Sequence, residues 1–449
     1  MTTTAEEIRL IFLLLLIAMA VALPAQRAKL PYTLALVIVG LVIGVFNLLP
    51  GVMLTPDEVL FIFLPALLFE GAWNLDRHEL ARNWLPITLL AGPGLAIAVC
   101  IFGLIIHFAI GLDWSVALLL GAIISPTDPI AVLALLRQMG LATRLRILIE
   151  GESLFNDGVA ASITQVLLAV VLSIVASAAA SGSTAASSTA SATNGGTVVL
   201  EIFLGLLRLI GGGALLGLVI GYAVSHLVRY VDDHLIETAI TVLVAYGSYL
   251  LAEQLQVSGI VTIIVAALIL GSYGREIGMA EHTQEAVDSF WGFAAYIANS
   301  FLFLLMGLEI RFLPLENALI GIGWAVFGVV AGRTLMISLC IPFYNFLAQR
   351  LEGTRIGPHI APGRISRRWQ LVLLSAGLRG ALSLALALSL PLTVPYRSLL
   401  ILMVYGVVLV TLLGQGFGLR LLLPLFRRTG QANAQYIQHT APEHEQKEP

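Results

Sequence analysis

Apolar runs follow one another along almost the whole chain, separated only by short polar turns. They fall at about 8–24, 31–49, 57–73, 84–108, 114–139, 148–176, 198–228, 235–253, 257–273, 286–308, 317–348, 370–390 and 396–423. A helix needs about 20 predominantly apolar residues to cross the hydrocarbon of a bilayer. In lipid every backbone N–H and C=O must find a partner inside the protein, which a helix provides within one segment. The pattern therefore predicts an all-α, polytopic membrane protein of about 13 transmembrane helices. Composition agrees: 58% of the 449 residues are apolar and 11% charged, against about 25% charged in a soluble domain. Net charge is −3 without a block of like charge, so nucleic acid is not an expected partner.

The first run could be read as a signal peptide. Glu6 and Glu7 spoil a basic leader, and no small-residue cleavage site follows, so a retained first helix is expected. Basic residues give the orientation. With the N-terminus outside, the cytoplasmic loops hold Arg27 and Lys29; Arg77 and Arg82; Arg137, Arg144 and Arg146; Arg229; Arg275; and Arg350, Arg355, Arg364, Arg367 and Arg368. The C-terminal side adds Arg420, Arg427, Arg428 and Lys447, and the outer side keeps only Arg9, Arg208, Arg311 and Arg397. By the positive-inside rule this predicts an odd number of spans, N-out and C-in. Residues 1–428 form the expected transmembrane domain. Residues 177–197, small, polar and uncharged, read as a flexible outer linker, and 429–449 as a short disordered cytoplasmic tail.

Several chemistries find no support. Cys100 and Cys340 lie in apolar runs without a CxxC pair and are expected to be small core residues. HExxH, P-loop and GxSxG patterns are missing. No enzyme activity, no catalytic residue, no ATP use and no cofactor is expected. Gly211, Gly212 and Gly213 read as a place of close helix packing.

Inside the runs stand few ionisable groups: Glu70, Asp128, Glu152, Asp157, Arg333 and Arg379. A charge at the bilayer centre costs about 2.5–3.5 kcal/mol on insertion scales, so each is a functional candidate. Asp128 belongs to Ser125-Pro126-Thr127-Asp128-Pro129. Two prolines three apart remove two donors and disfavour helix before them. The helix must break at membrane depth, either as a plain kink or as an ion-binding interruption. In Glu150-Gly151-Glu152-Ser153-Leu154-Phe155-Asn156-Asp157, helical spacing puts Ser153, Asn156 and Asp157 on one face. Their oxygens are hard ligands suited to an alkali cation, and no soft ligand is near. A polar helix end near Arg144 and Arg146 is the plainer reading. Arg333, alone in its run, needs a buried carboxylate from another helix, and Glu152 is the candidate. Arg379 lies between Gly377 and Gly380, where a second helix can unwind. Glu70 stands either in an ion funnel or at the interface beside Trp73.

SPTDP, then GESLFNDG about twenty-five residues later, then an isolated helix arginine and GLRGALS resemble the NhaP-type sodium/proton antiporters of the monovalent cation:proton antiporter family, the branch that includes the plasma-membrane sodium/proton exchangers. The segment FLPALLFEGAW resembles that family's third helix, and the likeness runs from about Pro31 to Pro424. The resemblance implies two inverted repeats with two broken crossing helices. It implies core helices at about 84–176 and 317–423, beside dimerisation helices at about 8–73 and 198–308. Asp157 would carry sodium and proton in alternation. Thr127, Asp128 and Ser153 would help coordinate the cation, with Asp157, Ser153 and Thr127 as direct sodium ligands. Asn156 would hold the unwound segment, Glu152 and Arg333 would form a structural ion pair, Glu70 would lie near the ion path, and Arg379 would offset helix-end charge at the crossing. The expected partners are sodium, protons, the lipid bilayer and a second copy in a homodimer, and the expected place is the plasma membrane.

One carboxylate that holds either a proton or a cation couples the two fluxes. An Asn-Asp pair, in place of two aspartates, leaves one exchangeable charge and implies electroneutral exchange, of sodium or lithium. Potassium/proton or mixed-cation exchange, an ion channel, and an intramembrane aspartyl protease built on Asp128 and Asp157 remain as alternatives.

Overall fold

A computed structural model describes residues 4–28, 30, 32–49, 57–129, 133, 143–180, 195–231, 233–309, 319–351 and 363–414. The described residues are helical, without strands. In chain order the helices are α1 (Thr4–Arg27), α2 (Tyr32–Val45), α3 (Leu64–Trp73), α4 (Arg77–Arg82), α5 (Trp84–Ile110), α6 (Trp114–Ile124) and α7 (Thr143–Ala180). They continue as α8 (Leu200–Val228), α9 (His234–Gln254), α10 (Gly259–Gly278), α11 (Glu281–Glu309) and α12 (Leu319–Leu351). The last three are α13 (Arg367–Ser375), α14 (Ala381–Leu388) and α15 (Arg397–Gly414). Among the described residues nine helices are long and apolar enough to cross a membrane, and α2 and α6 are shorter apolar helices. Their outward faces stay apolar: Phe12 and Leu16 on α1, and Leu207 and Leu215 on α8, are exposed. Such faces fit lipid as the solvent.

Lipid tails are as apolar as leucine, so helices in a bilayer are held by close packing instead of by water exclusion. Glycines provide it. A Cβ on Gly40 would strike the Leu304 carbonyl oxygen and come within 3.1 Å of Gly307 Cα, and Gly44 lies against Leu308. This joins α2 to α11 backbone to backbone. Gly213, Gly217 and Gly221 do the same for α8 on α10, where Cβ atoms would fall 2.7 Å from Ser258 O, 2.6 Å from Thr262 O and 3.2 Å from Ala266 O. Within the triplet 211–213, Gly213 meets backbone, Gly212 meets the Val257 side chain, and Gly211 meets only its own helix at 3.9 Å. Gly40→Val is expected to push α2 off α11 and cost about 1–3 kcal/mol, read as an earlier thermal midpoint in detergent. Gly247→Ala, at a glycine with open space around it, serves as the neutral comparison, and equal midpoints for the two would refute the packing role.

Two packing groups result. α1, α2, α3 and α8–α11 contact one another, and α5, α6, α7, α12, α13 and α14 contact one another. The groups meet where α7 touches α3, α8 and α10, and where α14 touches α11.

Two expectations change. The 177–197 linker is shorter than composition suggests: α7 runs on to Ala180 and helix resumes at Gly195. The alanines 178–180 are strong helix formers and carry the helix past the apolar run. Residues 181–194 lie outside the described residues, as do the 429–449 tail, the second half of the 114–139 run after Leu133, and Lys29, Arg137, Arg311, Arg355, Arg420, Arg427, Arg428 and Lys447. Cys340 is buried, but Cys100 is exposed on α5. In lipid a thiol on the outer face of a helix meets no water, so an apolar run does not fix which side its cysteine takes.

Candidate functional site

Two helices stop in mid-molecule and face each other. α6 ends at Ile124, and residues 125–129 are non-helical. Pro126 and Pro129 explain the break, since neither can donate and each disfavours helix in its predecessor. α13 ends at Ser375, residues 377–380 are extended or irregular, and α14 starts at Ala381. The two unwound stretches touch: Asp128 N–H donates to Leu378 O at 2.8 Å. Glycine makes that approach possible, because a Cβ on Gly380 would fall 2.6 Å from Asp128 Cβ.

Broken helices leave carbonyls without partners, and each helix end carries partial negative charge. Two arginines answer this. Arg379 Nη1 donates to Ser125 O at 2.6 Å, at the C-terminal end of α6. Arg333 Nη2 donates to Leu373 O at 3.0 Å, in the last turns of α13. Both are buried, at 4% and 5% exposure. Arg333 also binds Glu152 in a fork, with Nη1 to Oε1 at 2.6 Å and Nη2 to Oε2 at 3.0 Å. The partner chosen for Arg333 on electrostatic grounds is therefore its partner in space. Gly377 leaves room for the guanidinium, since a Cβ there would lie 3.0 Å from Arg333 Nε.

α7 brings its polar face to the first break. Asn156 Nδ2 donates to Ser125 O at 3.0 Å and to Thr127 Oγ1 at 3.1 Å. Ser153 Oγ donates to Thr127 O. Asp157 Oδ1 accepts the Thr127 N–H at 3.2 Å. Thus Thr127, Ser153, Asn156 and Asp157 form one hydrogen-bonded knot, with Asp128 on the same unwound stretch. Ser153 spends its proton on Thr127 O, so its lone pairs stay available to a cation. Asn156 Oδ1 is buried without a hydrogen-bond partner, a second oxygen in the knot with acceptor capacity to spare. Among the described residues no cluster of three or more His, Cys, Asp or Glu side chains could hold a metal ion. The knot offers hydroxyl, amide, carbonyl and carboxylate oxygens, hard ligands of the kind that suit an alkali cation.

A cavity of about 490 Å³ leads to this knot. Asp157, Ser153, Thr127 and Asp128 line it, together with Glu70, Asn74, Arg146 and Glu150. Glu70 Oε1 accepts from Asn74 Nδ2 at 2.9 Å, one turn on along the chain. Glu70 lies on the wall of the cavity. The opposite wall comes from α11, through Gly292, Ala295, Tyr296 and Asn299. Sequence reasoning missed this wall because it weighed only ionisable groups. Asn299 and Tyr296, polar groups within an apolar run, carried the available signal. Tyr296 is held by stacking on Tyr32, with ring centroids 5.3 Å apart.

Comparison with known proteins gives the family. A profile of the family described as "Sodium/hydrogen exchanger, transmembrane" matches residues 11–424. The chain is 37% identical, over 86% of its length and 68% of the relative's, to a protein of Synechocystis named low-affinity Na(+)/H(+) antiporter NhaS1. It is 38% identical to the Na(+)/H(+) antiporter ApNhaP of Aphanothece halophytica, over 92% of this chain and 73% of that one. It is 33% identical to the Na(+)/H(+) antiporter NhaH of Halobacillus dabanensis, over 94% and 97%. The fold is that of the sodium proton antiporter MjNhaP1 from Methanocaldococcus jannaschii, with a TM-score of 0.69 at 21% identity, covering 92% of this chain and all of the other. The chain belongs to the transmembrane sodium/hydrogen exchanger family.

Proposed function

We propose that this protein exchanges sodium for protons across a plasma membrane by alternating access, with both ions competing for the Asp157 carboxylate. The observation that carries this is the place of Asp157: on the wall of a cavity and tied to an unwound segment by the Thr127 N–H at 3.2 Å. A carboxylate there holds a proton or a sodium ion, not both, so uptake of one requires loss of the other. Thr127, Ser153 and Asp157 supply direct sodium oxygens, Asp128 contributes negative field, and Asn156 holds the break open. Sodium and protons are the transported substrates, and lithium is a second cargo on the same oxygens.

The two packing groups fit the division of labour in this reading. α5–α7 and α12–α14 act as the moving core. α1–α3 and α8–α11 act as the fixed half, through which two copies associate. The half-helix pair, one in each half of the chain, fits inverted repeats. The cavity, which Arg146 lines, opens to the cytoplasm in the N-out, C-in orientation.

With a single exchangeable charge the exchange is electroneutral. Purified protein in proteoliposomes with an imposed pH gradient provides the test. Sodium is expected to dissipate the gradient at the same rate with and without a valinomycin voltage clamp. A rate that depends on the clamp would refute electroneutrality. Sodium movement without proton movement would refute antiport and reopen the channel reading, and dissipation by potassium alone would reassign the cation.

A further inference from the structure

Three arginines tie α7 to the second broken helix, at levels that rise together along both. Nearest the ion site, Asn156 and Arg379 both donate to Ser125 O, at 3.0 and 2.6 Å. One level down, Arg333 joins Glu152 of α7 to Leu373 O of α13. The third tie lies at the start of both helices. Arg144, the second residue of α7, donates from Nη2 to Gly363 O at 2.9 Å, three residues before Ser366, the N-cap of α13. Its guanidinium carbon lies 5.8 Å from the ring centroid of Trp369, in the first turn of α13. Nε donates to Asn83 Oδ1 at 2.8 Å, at the entry to α5, and Nη2 also donates to Tyr344 Oη of α12 at 3.2 Å. Tyr344 Oη donates in turn to Gly363 O at 3.1 Å. Asn83 and Tyr344 are buried, at 0% and 1% exposure.

Two rigid helices tied at one point can pivot about it, and a second tie some distance away fixes their angle. Arg144 stands eight residues before Glu152, about 12 Å along α7, and Asp157 stands five residues beyond it, about 7.5 Å. If the Arg144 end drifted by about 1 Å about the Glu152–Arg333 fork, Asp157 would swing by about 0.6 Å the other way. A binding constellation works only when held to within about 0.5 Å. Such a swing would carry Ser153 and Asp157 away from Thr127. The tie also needs a guanidinium. Its planar fork reaches Asn83, Tyr344 and Gly363 at once, whereas a lysine ammonium keeps the charge but not that geometry.

We propose that Arg144 is a positioning residue: it fixes the angle of α7 against α13 and thereby sets the apparent sodium affinity at Asp157 from about 20 Å along the helix. The inference rests on the exchange reading above, in which Asp157 binds the cation.

Sodium-driven proton movement in proteoliposomes, with rates expressed per folded protein, tests it. Arg144→Lys and Arg144→Gln are both expected to raise the apparent KM for sodium about three- to ten-fold, with the maximal rate retained. A role in stability alone would lower the amount of folded protein and leave KM unchanged. A field effect alone would lower KM in Arg144→Gln, which removes a positive charge, and leave Arg144→Lys at the wild-type value. Either result overturns the proposal. Tyr344→Phe removes the hydroxyl that Arg144 and Gly363 share and should raise KM in the same direction, by less. If the Arg144 variants do not fold, Tyr344→Phe decides alone, and an unchanged KM there overturns the proposal. Failure of the wild-type protein to couple sodium to protons would instead overturn the exchange reading, so the two failures are distinguishable.

Discussion

Asp157→Asn is expected to reduce sodium/proton exchange to the background of protein-free liposomes while leaving the fold intact. Asparagine keeps an Oδ1 in the same place, so it can still accept the Thr127 N–H that Asp157 now accepts at 3.2 Å. The knot around residues 125–129, held by Ser153 and Asn156, does not depend on the charge. What disappears is the group that binds a proton and releases it to a cation. An amide does not titrate in this range and gives a sodium ion one neutral oxygen in place of a carboxylate. The effect is therefore all-or-none on coupled flux, with an unchanged melting profile in detergent. Exchange that persists in Asp157→Asn would move the carrier role to another carboxylate, with Asp128 the next candidate. Loss of exchange together with early melting would show that the aspartate is structural.

The second large effect concerns stability. Arg333→Ala leaves Glu152 charged at 2% exposure and removes the donor to Leu373 O. Breaking a buried ion pair from one side costs about 3–5 kcal/mol, because an uncompensated charge stays behind. The variant should unfold at clearly lower denaturant or temperature, and Glu152→Gln should also destabilise by stranding the arginine. The double variant Glu152→Gln/Arg333→Met is expected to lose less than the sum of the two, the signature of direct coupling in a double-mutant cycle. Additive losses would mean that the forked bonds contribute little to each other. A wild-type stability in Arg333→Ala would remove the pair from any structural role.

Much of the site was legible along the chain because its cause is local. Proline chemistry breaks a helix wherever it stands, so the interruption at 125–129 could be placed from SPTDP alone. The common face of Ser153, Asn156 and Asp157 follows from helical spacing within one segment. The rarity of charge in apolar runs singled out Glu70, Glu152, Arg333 and Arg379 before any contact was visible. By the same logic the 177–197 linker was drawn too long, since composition marked it polar while its alanines extended α7. Cys100 was misplaced because the period of an apolar run all of whose faces are apolar says nothing of which face is inside.

What the chain could not disclose is what lies across space. Arg379 reaches Ser125 O over 254 positions, and Arg333 reaches Glu152 over 181. Charge balance could suggest the second pairing, but nothing local assigns one arginine to each broken helix end. The cavity wall from α11 and the reach of Arg144 to Gly363 likewise depend on how helices pack. Sequence by itself determined the solvent, the helical class and the break at SPTDP, since each follows from covalent chemistry or from the cost of unpaired polar groups in lipid. Only the tertiary structure decided which carbonyls the arginines cap and where the cavity runs, because both depend on contacts between helices far apart in the chain.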